Sequence, residues 1–99
     1  MSRRCERIAE VGIDAEGSLY IVPANANFPF VHRAAMQVGW DEGRRRLFSP
    51  RPVQMSYGDW FGHVLSAVAS EYGVALEIRR ETAWINMPLA LKAEIEARG

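Results

Sequence analysis

Apolar and polar residues alternate along the first half of the chain and take a helical spacing in the second. Residues 5–13 (CERIAEVGI) place Cys5, Ala9, Val11 and Ile13 on one face of an extended segment, with Arg7 interrupting it. Asp14, Ala15, Glu16 and Gly17 then form a hairpin turn, with Gly17 supplying a positive φ. Residues 18–22 (SLYIV) are strand formers, and Pro23 ends ladder donation. Residues 24–29 (ANANFP) read as a loop. Residues 31–40 read as a third strand, with His32, Ala34, Met36, Val38 and Trp40 on one face. Asp41, Glu42 and Gly43 repeat the first turn, and residues 44–48 (RRRLF) give a fourth strand. Pro50 and Pro52 close it, since neither can donate within a central ladder.

Residues 57–72 change the period. Tyr57, Trp60, Phe61, Val64, Leu65, Val68 and Tyr72 follow the i, i+3, i+4, i+7 spacing of an amphipathic helix. Ser56 is its N-cap, Asp59 completes a capping-box-like pair, and Gly73 falls where a helix ends in a left-handed residue. Gly58 and Gly62 cost helix stability and suggest close packing against another backbone. Residues 74–80 alternate again, with Val74, Leu76 and Ile78 inward, and residues 83–85 add a short strand after a turn at Glu81 and Thr82. Pro88 suits the first position of a last helix reaching about Arg98, with Leu91 and Ile95 as its apolar stripe and Lys92 pairing with Glu96.

Strands followed by helix, strand and helix define an α+β class: an antiparallel sheet of four to six strands, one main helix packed on a face and a short C-terminal helix. The 99 residues make one domain over residues 1–99. Five strands and two helices leave one sheet face incompletely covered, and a second copy is the simplest cover, so a homodimer is expected.

Charge narrows the partners. Twelve basic and twelve acidic residues give a net charge of zero. That argues against nucleic acid, whose binders gain affinity from a positive field, and it removes long-range repulsion between copies. Cys5 is the only cysteine, so no intrachain disulfide or cysteine-rich zinc site forms. No apolar stretch has the length of a membrane helix, and the charged N-terminus is unlike a secretory signal, so the expected address is the cytoplasm.

Common catalytic signatures are missing: there is no G-x-G-x-x-G, Walker loop, H-E-x-x-H, C-x-x-C or G-x-S-x-G. No cofactor is implied. The histidines, His32 and His63, are the candidates for acid–base work with Asp59 or Asp14. His63 follows Asp59 by four residues and reads first as a surface hydrogen-bonded pair, while His32 reads as a half-buried packing residue. Cys5 reads as a small buried hydrophobe rather than a nucleophile. Arg44, Arg45 and Arg46, near Arg51, form the only dense basic run. In a strand they alternate between faces, with Asp41 and Glu42 beside them, so a solvated edge outweighs a nucleic-acid surface. The aromatic residues carry more weight. Tyr20, Trp40 and Trp84, with His32, are the candidate ligand or interface residues, because aromatic side chains near strand ends gather at pockets and interfaces.

Gly58-Asp59-Trp60-Phe61, then Glu71-Tyr72-Gly73 leading into Val74-Ala75-Leu76, then Trp84-Ile85-Asn86-Met87-Pro88, resembles small bacterial proteins carried on integron gene cassettes. The resemblance covers roughly the second half of the chain. It implies a compact, self-associating bacterial cytoplasmic protein, and it carries over no catalytic residue. The leading expectation is a non-catalytic binding or interaction module that self-associates and has an aromatic-lined small-molecule pocket. A small enzyme using His32 or His63, and nucleic-acid binding through Arg44 to Arg46, are the alternatives.

Overall fold

A computed structural model describes residues 4–49 and 55–98. The elements run β1 (Arg4–Ile13), β2 (Leu19–Pro23), a 3-10 turn (Val31–Arg33), β3 (Gly39–Asp41), β4 (Arg46–Phe48), α1 (Tyr57–Tyr72), β5 (Val74–Ile85) and α2 (Leu89–Arg98). The α+β class and the two helices are as the sequence reads. Pro50, Arg51 and Pro52 lie outside the described residues.

The sheet is five-stranded in the order β3-β4-β2-β1-β5. It is mixed rather than antiparallel throughout. Pairs β1–β2, β2–β4 and β3–β4 are antiparallel, but β5 runs parallel to β1, with Arg4 beside Val74 and Gly12 beside Ile85. The reason lies in α1. At 1.5 Å per residue, its 16 residues cover about 24 Å and return the chain to the starting end of β1. The next strand therefore sets out in the same direction as β1.

The interruption at Arg7 is explained by a bulge. The register of β1 shifts between Ile8 and Glu10 against both neighbours. Glu6 and Ile8 face inward before the shift, and Val11 after it. An extra residue in a strand exchanges odd and even positions. Cys5 is accordingly exposed, not buried as expected. The matching irregularity in β5 lies at residues 79–82. Thr82 is buried there, donating its hydroxyl to the Ile8 carbonyl at 2.7 Å and accepting from the Arg79 amide at 2.9 Å. Residues 74–85 are thus one strand rather than two.

The segment read as a third strand is mostly not one. Only Gly39–Asp41 is extended, and Val31–Arg33 is a 3-10 turn. Val31, Ala35 and Val38 are its buried residues, while His32, Ala34 and Met36 point to solvent. The stretch is pinned from several elements. Glu6 Oε2 accepts from the amides of Asn25 and Ala26 at 2.5 and 2.8 Å. Tyr72 Oη accepts from the Phe30 amide at 2.8 Å, and the Trp60 indole donates to the Gln37 carbonyl at 2.8 Å.

Helix α1 is capped as its sequence indicates. Ser56 accepts from the Asp59 amide, and Gly73 sits at φ 65° in the left-handed region. Its buried stripe of Trp60, Phe61, Val64 and Val68 joins Ile8, Val11, Leu19, Ile21 and Leu47 in one core. The Tyr57 hydroxyl donates to the Gly17 carbonyl at 2.5 Å, tying the helix start to the first hairpin turn. Helix α2 packs beside α1 across Gly58, where an added Cβ would meet the Glu94 carboxylate, and inserts Ile95 into the same core. Pro88 stands just before α2. Lys92 sits 5.5 Å from the Trp84 ring centroid, and a Lys92–Glu96 pair is not among the ion pairs of the described residues.

Candidate functional site

The core takes the inward positions of every strand, so attention falls on the other sheet face. Directly paired residues share a face. The pairings Gly39–Phe48, Phe48–Tyr20, Tyr20–Gly12 and Gly12–Ile85 therefore form one row across all five strands. Tyr20, Phe48 and Ile85 stand outside the core cluster, and no described helix covers them. The two glycines explain how the row is built. A Cβ on Gly39 would come 2.7 Å from the Phe48 ring, and one on Gly12 would come 2.5 Å from the Tyr20 hydroxyl and 2.9 Å from Ile85 Cβ. Each aromatic ring lies down over the glycine of the neighbouring strand. The result is a flat apolar floor, with Ile85 40% exposed at one end and Phe48 half-buried.

A polar chain crosses this floor. The Tyr20 hydroxyl donates to Glu10 Oε2 at 2.5 Å. The Arg46 guanidinium lies 4.3 Å above the Tyr20 ring centroid, and its Nη2 is 3.6 Å from Asp14 Oδ2. Burial of the phenol, the hydrogen bond to Glu10 and the charge of that carboxylate push Tyr20 up to about 12, against the downward pull of Arg46. Tyr20 is therefore a neutral donor at physiological pH.

The four residues singled out from sequence do not share one pocket. Tyr20 is on the open face. Trp40 and Trp84 are at the two ends of the adjacent row, Trp40–Leu47–Ile21–Val11–Trp84, which faces the helices. Four interstrand steps put their backbones roughly 19 Å apart. Trp40 meets Phe28 edge to face at 6.0 Å and donates its indole N–H to Glu42, while Trp84 packs against the core. His32 is exposed on the 3-10 turn. Phe48, Gly12 and Gly39 are not singled out by the sequence, and Arg46 only as part of the basic run. Their signal is the second apolar series of the strands, Tyr20 with Val22 and Phe48, on the face where a half-solvated sheet carries polar residues.

The remaining chemistry-bearing residues are placed as follows. His63 Nε2 lies 3.3 Å from Gln37 Oε1, and Asp59 instead accepts from Arg98 at 3.0 Å, so the expected Asp59–His63 pair does not form. The three consecutive arginines diverge. Arg44 is exposed with Asp41 nearby at 3.9 Å, and Arg46 covers Tyr20. Arg45 turns back with φ 51° to donate to Asn27 Oδ1 at 2.8 Å and the Ala26 carbonyl at 3.1 Å. Arg45, not Gly43, thus takes the left-handed position of the second turn. No group of three or more metal-ligating side chains occurs among the described residues, and no described helix is long and apolar enough to cross a membrane.

The arrangement defines a small α+β domain whose two described helices pack on one face of a mixed sheet. Residues 6–82 match the family described as Integron Cassette Protein Hfx_Cass5, and the chain belongs to that family. It is similar to a solved structure from the mobile metagenome of North West Arm Sewage Outfall, also described as Integron Cassette Protein Hfx_Cass5. The identity is 38%, over 99% of this chain and 96% of that one, with a TM-score of 0.46. No curated protein matches the chain.

Proposed function

We propose that the protein is a non-catalytic binding module of the cytoplasm that pairs with a second copy of itself through the open sheet face. The observation that carries this reading is the row Gly39–Phe48–Tyr20–Gly12–Ile85, an apolar floor flattened by two ring-on-glycine contacts. Flat apolar faces suit sheet-on-sheet packing, in which two sheets lie about 10 Å apart. A net charge of zero leaves little repulsion between copies. Edge-to-edge growth is the poorer option. The long edge strand β5 carries the exposed charges of Arg79, Arg80 and Glu81 at its irregularity, a pattern that blocks strand addition.

The contacts of the other candidates favour binding over chemistry. Asp59 is engaged by Arg98, and Asp14 by two turn amides and Arg46. The divergence of Arg44, Arg45 and Arg46 breaks up the basic surface that nucleic acid requires. Sedimentation velocity at about 100 μM, a concentration that populates even weak dimers, tests the reading. A dimer that Ile85→Arg converts to a folded monomer is expected. A wild-type monomer at that concentration overturns it.

A further inference from the structure

Arg46 has more hydrogen-bonding capacity than the fold uses. Its side chain is 15% exposed, yet its only ion-pair partner among the described residues, Asp14 Oδ2, stands 3.6 Å away, beyond hydrogen-bond length. Its Nε is buried with no acceptor at all. That atom has no open surface for a ligand to reach, so the donors available to one are those of the two Nη groups, which make no hydrogen bond among the described residues. The guanidinium lies 4.3 Å from the Tyr20 ring centroid, which sets where those donors stand.

It stands beside a cleft of about 300 Å³ between the two hairpin turns, with Phe48, Ser49 and Ser18 in its lining and Arg44 and Glu16 among its charged groups. That volume is at the lower end for small-molecule sites. The two aspartates of the cleft are already engaged. Asp14 Oδ1 accepts from the amides of Glu16 and Ser18 at 2.9 and 3.0 Å, and Asp41 Oδ1 from the Arg44 amide at 3.1 Å. The charges left for a ligand are therefore Arg46, the exposed Arg44, and the exposed carboxylate of Glu16, which has no ion pair among the described residues. A planar guanidinium matches a carboxylate best. A simple anion would meet repulsion from Glu16 and the two aspartates. A ligand carrying an ammonium as well as a carboxylate meets both signs with its opposite.

We infer that this cleft binds a free α-amino acid with an apolar side chain, its carboxylate on Arg46 with help from Arg44, its ammonium on Glu16 and its side chain against Phe48. The cleft borders the proposed dimer contact and shares Phe48 with it, so the association state of each sample is measured beside its binding, and either reading can fail without the other. The test is an amide NMR titration of the full chain with L-phenylalanine, L-phenylalanine amide, N-acetyl-L-phenylalanine and inorganic phosphate. Saturable shifts at Ser18, Arg46 and Ser49 are expected with L-phenylalanine, and each one-ended analogue should bind about tenfold or more weakly, the scale of one lost charged hydrogen bond. Arg46→Gln should abolish binding. Because that change also disturbs the Tyr20 contact, the exposed variant Glu16→Gln is the cleaner arm: it should weaken L-phenylalanine and leave N-acetyl-L-phenylalanine bound no more weakly, since a repulsive charge has been removed. The inference is overturned by no saturable shift with L-phenylalanine, by equal binding of phosphate or the N-acetyl compound, or by a Glu16→Gln variant that binds like wild type. Sedimentation of the same samples reports self-association independently.

Discussion

Tyr20 concentrates the physics of the open face into one side chain. It is only 5% exposed although no described helix covers it, because Arg46 caps its ring and Glu10 accepts the hydrogen bond of its hydroxyl. A phenol whose folded value is about 12, above the ordinary 10.0, is stabilised as its neutral form. The contribution is complete below pH 10, where folded and unfolded chains both hold the proton, and is lost as pH rises through about 12. The difference in absorbance at 295 nm between wild type and Tyr20→Phe should titrate with a midpoint near 12, and a midpoint near 10 would show a solvated phenol. The glycine beneath the ring makes a second demand. Gly12→Ala forces a Cβ to 2.5 Å from the Tyr20 hydroxyl and 2.9 Å from Ile85 Cβ, and neither a seated ring nor a strand Cβ moves aside readily. Overpacking of this kind should cost about 1–3 kcal/mol in urea unfolding.

The elements differ in how plainly the sequence declared them. Helix α1 was legible end to end, since periodicity, cap and terminal glycine agree and each acts over one turn. The 3-10 turn was misread because alternation from His32 to Trp40 masked a competing pattern. Val31, Ala35 and Val38, spaced i, i+4, i+7, are the residues that go inward. The bulge in β1 was visible only as an unexplained Arg7, because its cause lies 74 residues away, where the Thr82 hydroxyl fills the Ile8 carbonyl. Thr82→Val keeps the shape and removes that hydrogen bond together with the acceptor of the Arg79 amide. A loss of about 1–3 kcal/mol is expected for such a buried polar group. Hydrogen exchange should quicken at Arg79 while α1 stays protected, and uniform quickening would mean that Thr82 does not act locally.

At the scale of the whole molecule, the order of elements set the class and composition the zero net charge, but neither says which strands are neighbours. The parallel β1–β5 pair joins the two ends of the chain, and no local spacing encodes it. The same gap explains the candidate site. Aromatic residues were recognised singly, yet which face each takes depends on strand order, and that order separates Trp40 from Trp84 and sets Tyr20 beside Phe48. A two-sided sheet with helices on one side should be sensitive to charge on the other. Ile85→Arg is therefore expected to leave the melting temperature of the monomer nearly unchanged while abolishing the dimer, because Ile85 is already 40% exposed.

The position of β1 has a consequence for how the chain is born. It leaves the ribosome before β2 and β5, and it lies between them in the sheet. Its hairpin with β2 can close early, but its other row of hydrogen bonds is complete only once Ile85 has emerged. Until β5 emerges, a growing chain carries an unfilled slot along β1, bordered by Ile8 and Val11, and nascent chains on neighbouring ribosomes present the same slot. Strand β5 is thus what seals the molecule against its own copies during translation.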